Sequence, residues 1–197
     1  DLDDHGGYHD HSDHSDHIGD TFLDMPKFKQ FSFLNRWKYY GSDKYNFQIN
    51  LRGTVDDRKA GQIINDSIIN PYLSTINNQL IQVYTKVGKI IDSNKSIGAQ
   101  TSITLHNQEA EFGNNKYKGG NESVSMNLIY QNQINSRHSI KYGSSYFADR
   151  FTESFHGNID QSINLKERVD LVTGLFSEYQ FNNQRLNIIT GLRTDYY

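Results

Sequence analysis

Apolar and polar residues alternate with a period of two along almost the whole sequence. Tyr45, Phe47, Ile49, Leu51 and Val55 share one parity, and Asn46, Gln48, Asn50, Arg52 and Thr54 share the other. The stretch 95–106 repeats this, with Ile97, Ala99, Ile103 and Leu105 against Ser96, Gln100, Ser102 and Thr104. So does 185–196, with Leu186, Ile188, Leu192 and Tyr196 against Arg185, Asn187, Arg193 and Asp195. Successive side chains of a strand point to opposite faces, whereas a helix returns to one face about every 3.6 residues. The pattern predicts strands with one apolar and one polar face.

Eight strands are expected, at 27–40, 45–56, 79–91, 95–106, 122–133, 138–151, 167–181 and 185–197. Strands of soluble proteins usually run about 5–6 residues, while a tilted membrane strand needs roughly 9–11. Length therefore favours a membrane wall. The connections alternate in size. Short turns fall at Gly41-Ser42-Asp43-Lys44, Asp92-Ser93-Asn94, 134–137 and Asn182-Asn183-Gln184, and long connections at 57–78, 107–121 and 152–166. Outer-membrane barrels alternate in this way between periplasmic turns and extracellular loops. The predicted fold is all-β: an antiparallel meander forming part of a transmembrane β-barrel. Residues 1–26 are expected as an Asp/His-rich extracellular loop and 27–197 as a partial barrel domain.

Composition supports this class. Hydrophobic residues make up only 35%, yet the chain carries 13 Tyr and 11 Phe, so it is not the aromatic-poor mixture of a disordered chain. A wall that shows lipid at every second residue reconciles the two facts. Trp37, Tyr39, Tyr40, Tyr45 and Phe47 flank the first short turn, and Tyr179 and Phe181 the last; they are candidates for an aromatic girdle at headgroup level. Gly53, Gly88, Gly98, Gly143, Gly174 and Gly191 interrupt strands and are expected at bends or bulges. No apolar run is long enough for a membrane helix, and no export leader opens the chain, so a longer parent protein is expected.

Several functions are disfavoured. A net charge of −3 does not suit a nucleic-acid binder, which needs a basic face. The absence of Cys removes thiolate chemistry. No Gly-x-Ser-x-Gly elbow, phosphate loop, EF-hand or His-Glu-x-x-His helix is present, and no enzyme is expected. The local chemistry lies in an Asp/His cluster: Asp10, His11, Asp13, His14, Asp16 and His17 in a three-residue repeat, flanked by His9, Asp20 and Asp24. Imidazole suits zinc or copper and carboxylate suits calcium, so the cluster reads as a metal-capturing loop, a structural calcium site or a solvated polar loop. Arg52, Gln100, Lys141, Glu178, Arg193 and Asp195 are expected on the polar, lumen side. His106, His138 and His156 are expected to be solvated, and Glu109 and Glu111 form no acid–base pair with His106.

Three segments resemble the barrel of TonB-dependent outer-membrane receptors, particularly those of Bacteroidetes. Asp20-Thr21-Phe22-Leu23-Asp24-Met25-Pro26, with Gln30-Phe31 and Asn35-Arg36-Trp37-Lys38-Tyr39, resembles a family stretch that often has Gly where this chain has Thr21. Phe112-Gly113, Tyr117 and Gly119-Gly120 form the second. Gly174-Leu175-Phe176-Ser177-Glu178-Tyr179 and Gly191-Leu192-Arg193-Thr194-Asp195-Tyr196 form the third, and together they run from about Asp20 onward. The resemblance implies a barrel of about 22 strands around an N-terminal plug. It also implies import of a scarce nutrient (a metal chelate, siderophore, cobalamin or similar), with TonB and the inner-membrane energising complex as partners. Neither the plug nor the TonB-contacting segment is found in this sequence. Asp20 and Asp24 are the cluster positions that match the family stretch, and acidic loops of such receptors can order around calcium. Two other architectures remain open from sequence. One is a complete eight-stranded barrel with a structural or adhesin role. The other is a soluble β-sandwich binding metal or sugar.

Overall fold

Each alternating segment forms a strand, and each strand pairs with its neighbour in sequence. The computed structural model describes residues 22–23, 25–62, 71–157 and 163–197. Its strands are β1 (Lys27–Ser42), β2 (Tyr45–Gly61), β3 (Leu73–Ile90), β4 (Lys95–Phe112), β5 (Asn115–Gln133), β6 (His138–His156), β7 (Ile163–Asn183) and β8 (Leu186–Tyr196). They form one antiparallel sheet in the order β1-β2-β3-β4-β5-β6-β7-β8. Both expected alternatives fail here. There is no second layer: among the described residues Ala110 is the sole buried hydrophobic side chain, which excludes a sandwich core. Nor does the sheet close: among the described residues β1 pairs only with β2 and β8 only with β7.

The strands are longer than the alternation predicts, and the difference lies at one end. The short turns survive as tight links, such as Asp43-Lys44 and Ile91–Asn94. The predicted long loop 107–121 is instead a hairpin that continues the ladder to a two-residue turn at Gly113-Asn114. Gly113 adopts φ 59°, a left-handed conformation that costs glycine little. In this hairpin the face continuous with the apolar band carries Asn107, Glu109 and Glu111 opposite Gly120, Lys118 and Lys116, so the apolar alternation stops there and hid the extension. Cross-strand ion pairs hold it instead: Lys118 Nζ to Glu109 Oε1 at 2.8 Å and Lys116 Nζ to Glu111 Oε1 at 3.0 Å.

Register carries the apolar parity from strand to strand. Val87 of β3 faces Phe47 and Ala99, Ala99 faces Leu128, and Leu175 of β7 faces Ser144. One face thus presents a continuous apolar band. Its outer edge lies at Phe31 and Val55 on β1 and β2, at Ile81 and Leu105 on β3 and β4, and at Val124 and Ala148 on β5 and β6. In register the edge moves two residues toward the short turns from β2 to β3, and again from β4 to β5. A band that drifts in register while remaining level in a bilayer requires tilted strands, the geometry of a barrel wall. On β4 it runs from Ile97 to Leu105, within the roughly 9–11 residues of a membrane crossing.

At the short-turn end the same face carries Trp37, Tyr39, Tyr45, Phe47, Tyr130, Tyr142, Tyr179 and Phe181. Tyr130 and Tyr142 complete a girdle that sequence clustering assigned only to the outer strands. Tyr40 leaves it, since it pairs with Asn46 on the polar parity. Of the bends or bulges expected at the interrupting glycines, the register shows no bulge: it slips only between Tyr40 and Ser42 and between Glu153 and Phe155. Gly143 is instead covered by its cross-strand partner. A Cβ there would overlap the Phe176 ring and lie 2.8 Å from the Leu128 carbonyl oxygen. Gly143→Val is therefore expected to destabilise by about 1–3 kcal/mol in thermal unfolding in detergent. Gly53→Ala, with open space around the added carbon, should stay within about 0.5 kcal/mol of the parent.

Candidate functional site

The polar face is the surface on which this wall can do chemistry. Register places Arg52, Gln100, Lys141, Glu178, Arg193 and Asp195 on it, as the alternation predicts. The face is laced by side-chain hydrogen bonds between strands. Asn78 Nδ2 donates to Asp56 Oδ1 at 2.9 Å, and Asn121 Nδ2 donates to Asp149 Oδ1 at 2.7 Å. Gln82 Nε2 donates to Thr104 Oγ1 at 3.3 Å, and the Ser32 and Thr54 hydroxyls lie 3.2 Å apart. Amides and hydroxyls of this kind both donate and accept, so the surface can bond polar solutes of either sense.

Charge is distributed unevenly across this face. On β6–β8 two cations are matched: Lys141 Nζ to Glu178 Oε1 at 2.7 Å, and Arg193 to Asp195 at 2.8 Å, with Arg193 Nη2 also donating to Ser145 at 3.0 Å. Gly174 lacks the Cβ that would block Asp195 and Ser145, so the pair lies flat against the sheet. On β1–β3, Arg36, Lys38, Arg52 and Lys86 have no acidic partner among the described residues. Lys38, Gln48 and Lys86 stand in one register row. Beside them a depression of about 510 Å³ is floored by Gly88 and Gly98 and lined by Asn46, Gln100, Gln131 and Lys141. These residues can hold a polar or anionic group. The face offers no nucleophile beside a base. Sequence reading named Arg52 and Lys141 but passed over Arg36, Lys38 and Lys86, although their parity could have been counted through the short turns.

The remaining sequence-predicted residues fall elsewhere. His9, Asp10, His11, Asp13, His14, Asp16, His17, Asp20 and Asp24 lie outside the described residues, which take in only Phe22, Leu23, Met25 and Pro26 of residues 1–26. Among the described residues no group of three or more His, Asp or Glu is placed to hold a metal ion. His138 is not simply solvated: its Nδ1 bonds the Tyr179 hydroxyl and its ring packs 5.1 Å from Phe181, within the aromatic girdle. His106 sits half-buried on the polar face and His156 is exposed at the outer end. Glu109 and Glu111 are committed to Lys118 and Lys116.

Two groups outside the band have displaced proton affinities. The Asn94 backbone N–H, then Lys95, hold the Asp92 carboxylate below its ordinary range, which fixes the β3–β4 turn. A hydrogen bond and the charge of Glu109 raise the Lys118 ammonium. Both groups are exposed structural partners.

No family model and no curated protein matches the sequence. Among solved structures the chain is similar to the RagAB peptide importer in its "open-open" state, with a TM-score of 0.56 and 9% identity over 85% of this chain. It spans 27% of the length of that chain. At this identity the likeness is one of fold, and it agrees with the tilt, girdle and two-faced register: the chain is an antiparallel eight-stranded segment of a transmembrane β-barrel wall.

Proposed function

We propose that this chain is part of the barrel of a TonB-dependent outer-membrane receptor, one that binds a scarce polar nutrient and imports it without covalent chemistry. The observation that carries the reading is the two-faced sheet: a lipid-compatible band on one side, and on the other a hydrogen-bonding surface whose β1–β3 cations have no acidic partner among the described residues. The receptor-like segments around Trp37, Gly119 and Gly191 support it, as does the fold likeness to a peptide importer. In this reading the polar face lines the passage and the ion-paired hairpins stand outside the cell. The segment holding His9, His11, His14 and His17 would then capture metal or a metal chelate, using zinc, copper or calcium chemistry. TonB and its energising complex would act through parts of the protein beyond this segment.

Uptake is the test. Cells carrying the full-length protein should accumulate at least one of three labelled probes (an iron chelate, cobalamin or a short peptide) only while TonB is present. Accumulation of all three unchanged by removal of TonB, or by removal of the protein, would overturn the reading. Orientation has its own check, by single cysteines placed in this Cys-free segment on a background with any other Cys replaced. Asn114→Cys, on the exposed β4–β5 turn, should react on intact cells with a bulky impermeant maleimide. Ser93→Cys, on the β3–β4 turn, should react only after the outer membrane is opened. The reverse pattern would invert the wall.

A further inference from the structure

We infer that Lys27, Lys29 and Lys59 form a binding site for the phosphate of an anionic lipid headgroup on the outer face of the wall. The inference rests on the lipid-facing band and is independent of what the barrel transports. Lys27 pairs with Lys59 in register and Lys29 pairs with Asp57, on the same parity as Phe31 and Val55 at the edge of the band. They therefore stand two and four residues beyond that edge. At about 3.4 Å per residue and a tilt near 40°, this is ~5–10 Å along the bilayer normal, within the headgroup layer.

Their charge is not balanced by the sheet. Beyond the same edge on β4–β7 the charges are paired, Arg150 Nε with Glu167 Oε1 at 2.8 Å and, farther out, Lys118 with Glu109 and Lys116 with Glu111. On β1–β2 two lysines face each other directly, an arrangement that destabilises a sheet unless something anionic lies between them. Among the described residues Asp57 is the one carboxylate beside them; its Oδ2 is 3.9 Å from Lys59 Nζ, at the limit of an ion pair. Lys27 and Lys29 have no ion-pair partner among the described residues. Immediately below, Phe31, Phe33 and Val55 are exposed on the same face, at 70%, 43% and 52%. Cations above an apolar surface match a molecule with a phosphate above acyl chains. A soluble anion would use only the upper half.

Native mass spectrometry of the full-length protein in detergent tests this, with added phosphatidylglycerol, phosphatidylcholine or inorganic phosphate as probes. The parent should retain phosphatidylglycerol about tenfold better than phosphatidylcholine, the scale of a few lysines at a headgroup. The triple variant Lys27→Gln/Lys29→Gln/Lys59→Gln should lose that preference, the corresponding Arg triple should keep it, and Lys116→Gln should not change it. Equal retention of the two lipids by the parent, or an undiminished preference in a folded Gln triple, overturns the site. Displacement of phosphatidylglycerol by inorganic phosphate at equal concentration would show a free-anion site and also overturn it. If the Gln triple does not fold, the comparison of the two lipids on the parent decides alone.

Discussion

In detergent-free buffer the 197-residue chain should fail to give a stable folded monomer. A water-soluble domain hides its apolar residues in a core, and here Ala110 is the only buried hydrophobic side chain among the described residues. Leu175 is 63% exposed and Leu192 79%, and the band they belong to crosses the sheet. Soluble monomers rarely expose contiguous apolar patches larger than about 300–600 Å². Among the described residues both edges also lack a partner: β1 and β8 each present unpaired backbone groups along one side, a template for pairing with another copy. The expected result is aggregation on gel filtration after dilution from denaturant, with no cooperative melt. A monomeric peak with a sharp, reversible thermal transition in plain buffer would contradict the lipid-facing assignment of the band.

The fold was legible where lipid and lumen impose opposite demands on adjacent residues. Between Tyr45 and Val55 each side chain belongs to one solvent or the other, so parity alone places it. Legibility ends at Asp57 and at Asn107, where both faces meet water. Beyond those points the ladder is held by pairs such as Glu109–Lys118, which join residues on different strands and leave no period to count. The close packing over one glycine was illegible for a related reason. Gly143 looks like a weakness when β6 is considered alone; its role appears only when the register brings Phe176 over it from β7. The polar-face residues Arg52 and Lys141 could be named from alternation. The uneven charge of that face could not, because which cation meets a carboxylate depends on pairings such as Lys141 with Glu178 across the register.

The sharpest test of the wall compares two neighbours on β5, Leu128 and Asn127. Leu128 lies mid-band on the apolar face, between Ala99 of β4 and Ser144 of β6, and is 48% exposed in the bare sheet. Asn127 lies on the polar face between Gln100 and Ser145. An arginine on the lipid side at the bilayer midplane costs roughly 2–4 kcal/mol, because its charge must be drawn to an interface or hydrated by a defect in the bilayer. Leu128→Arg should therefore lower the folding equilibrium by about 30- to 1000-fold at 1.4 kcal/mol per factor of ten. Asn127→Arg keeps its charge among hydrogen-bonding side chains and water, and should shift stability by no more than about 0.5–1 kcal/mol. Guanidinium-driven unfolding of the full-length protein in lipid vesicles gives both values from one midpoint shift each. Since the two positions are adjacent and both substitutions introduce the same side chain, propensity, size and expression largely cancel in the comparison. Only the medium facing each residue differs. Equal losses at the two sites, or a larger loss at Asn127, would mean that the band does not face lipid.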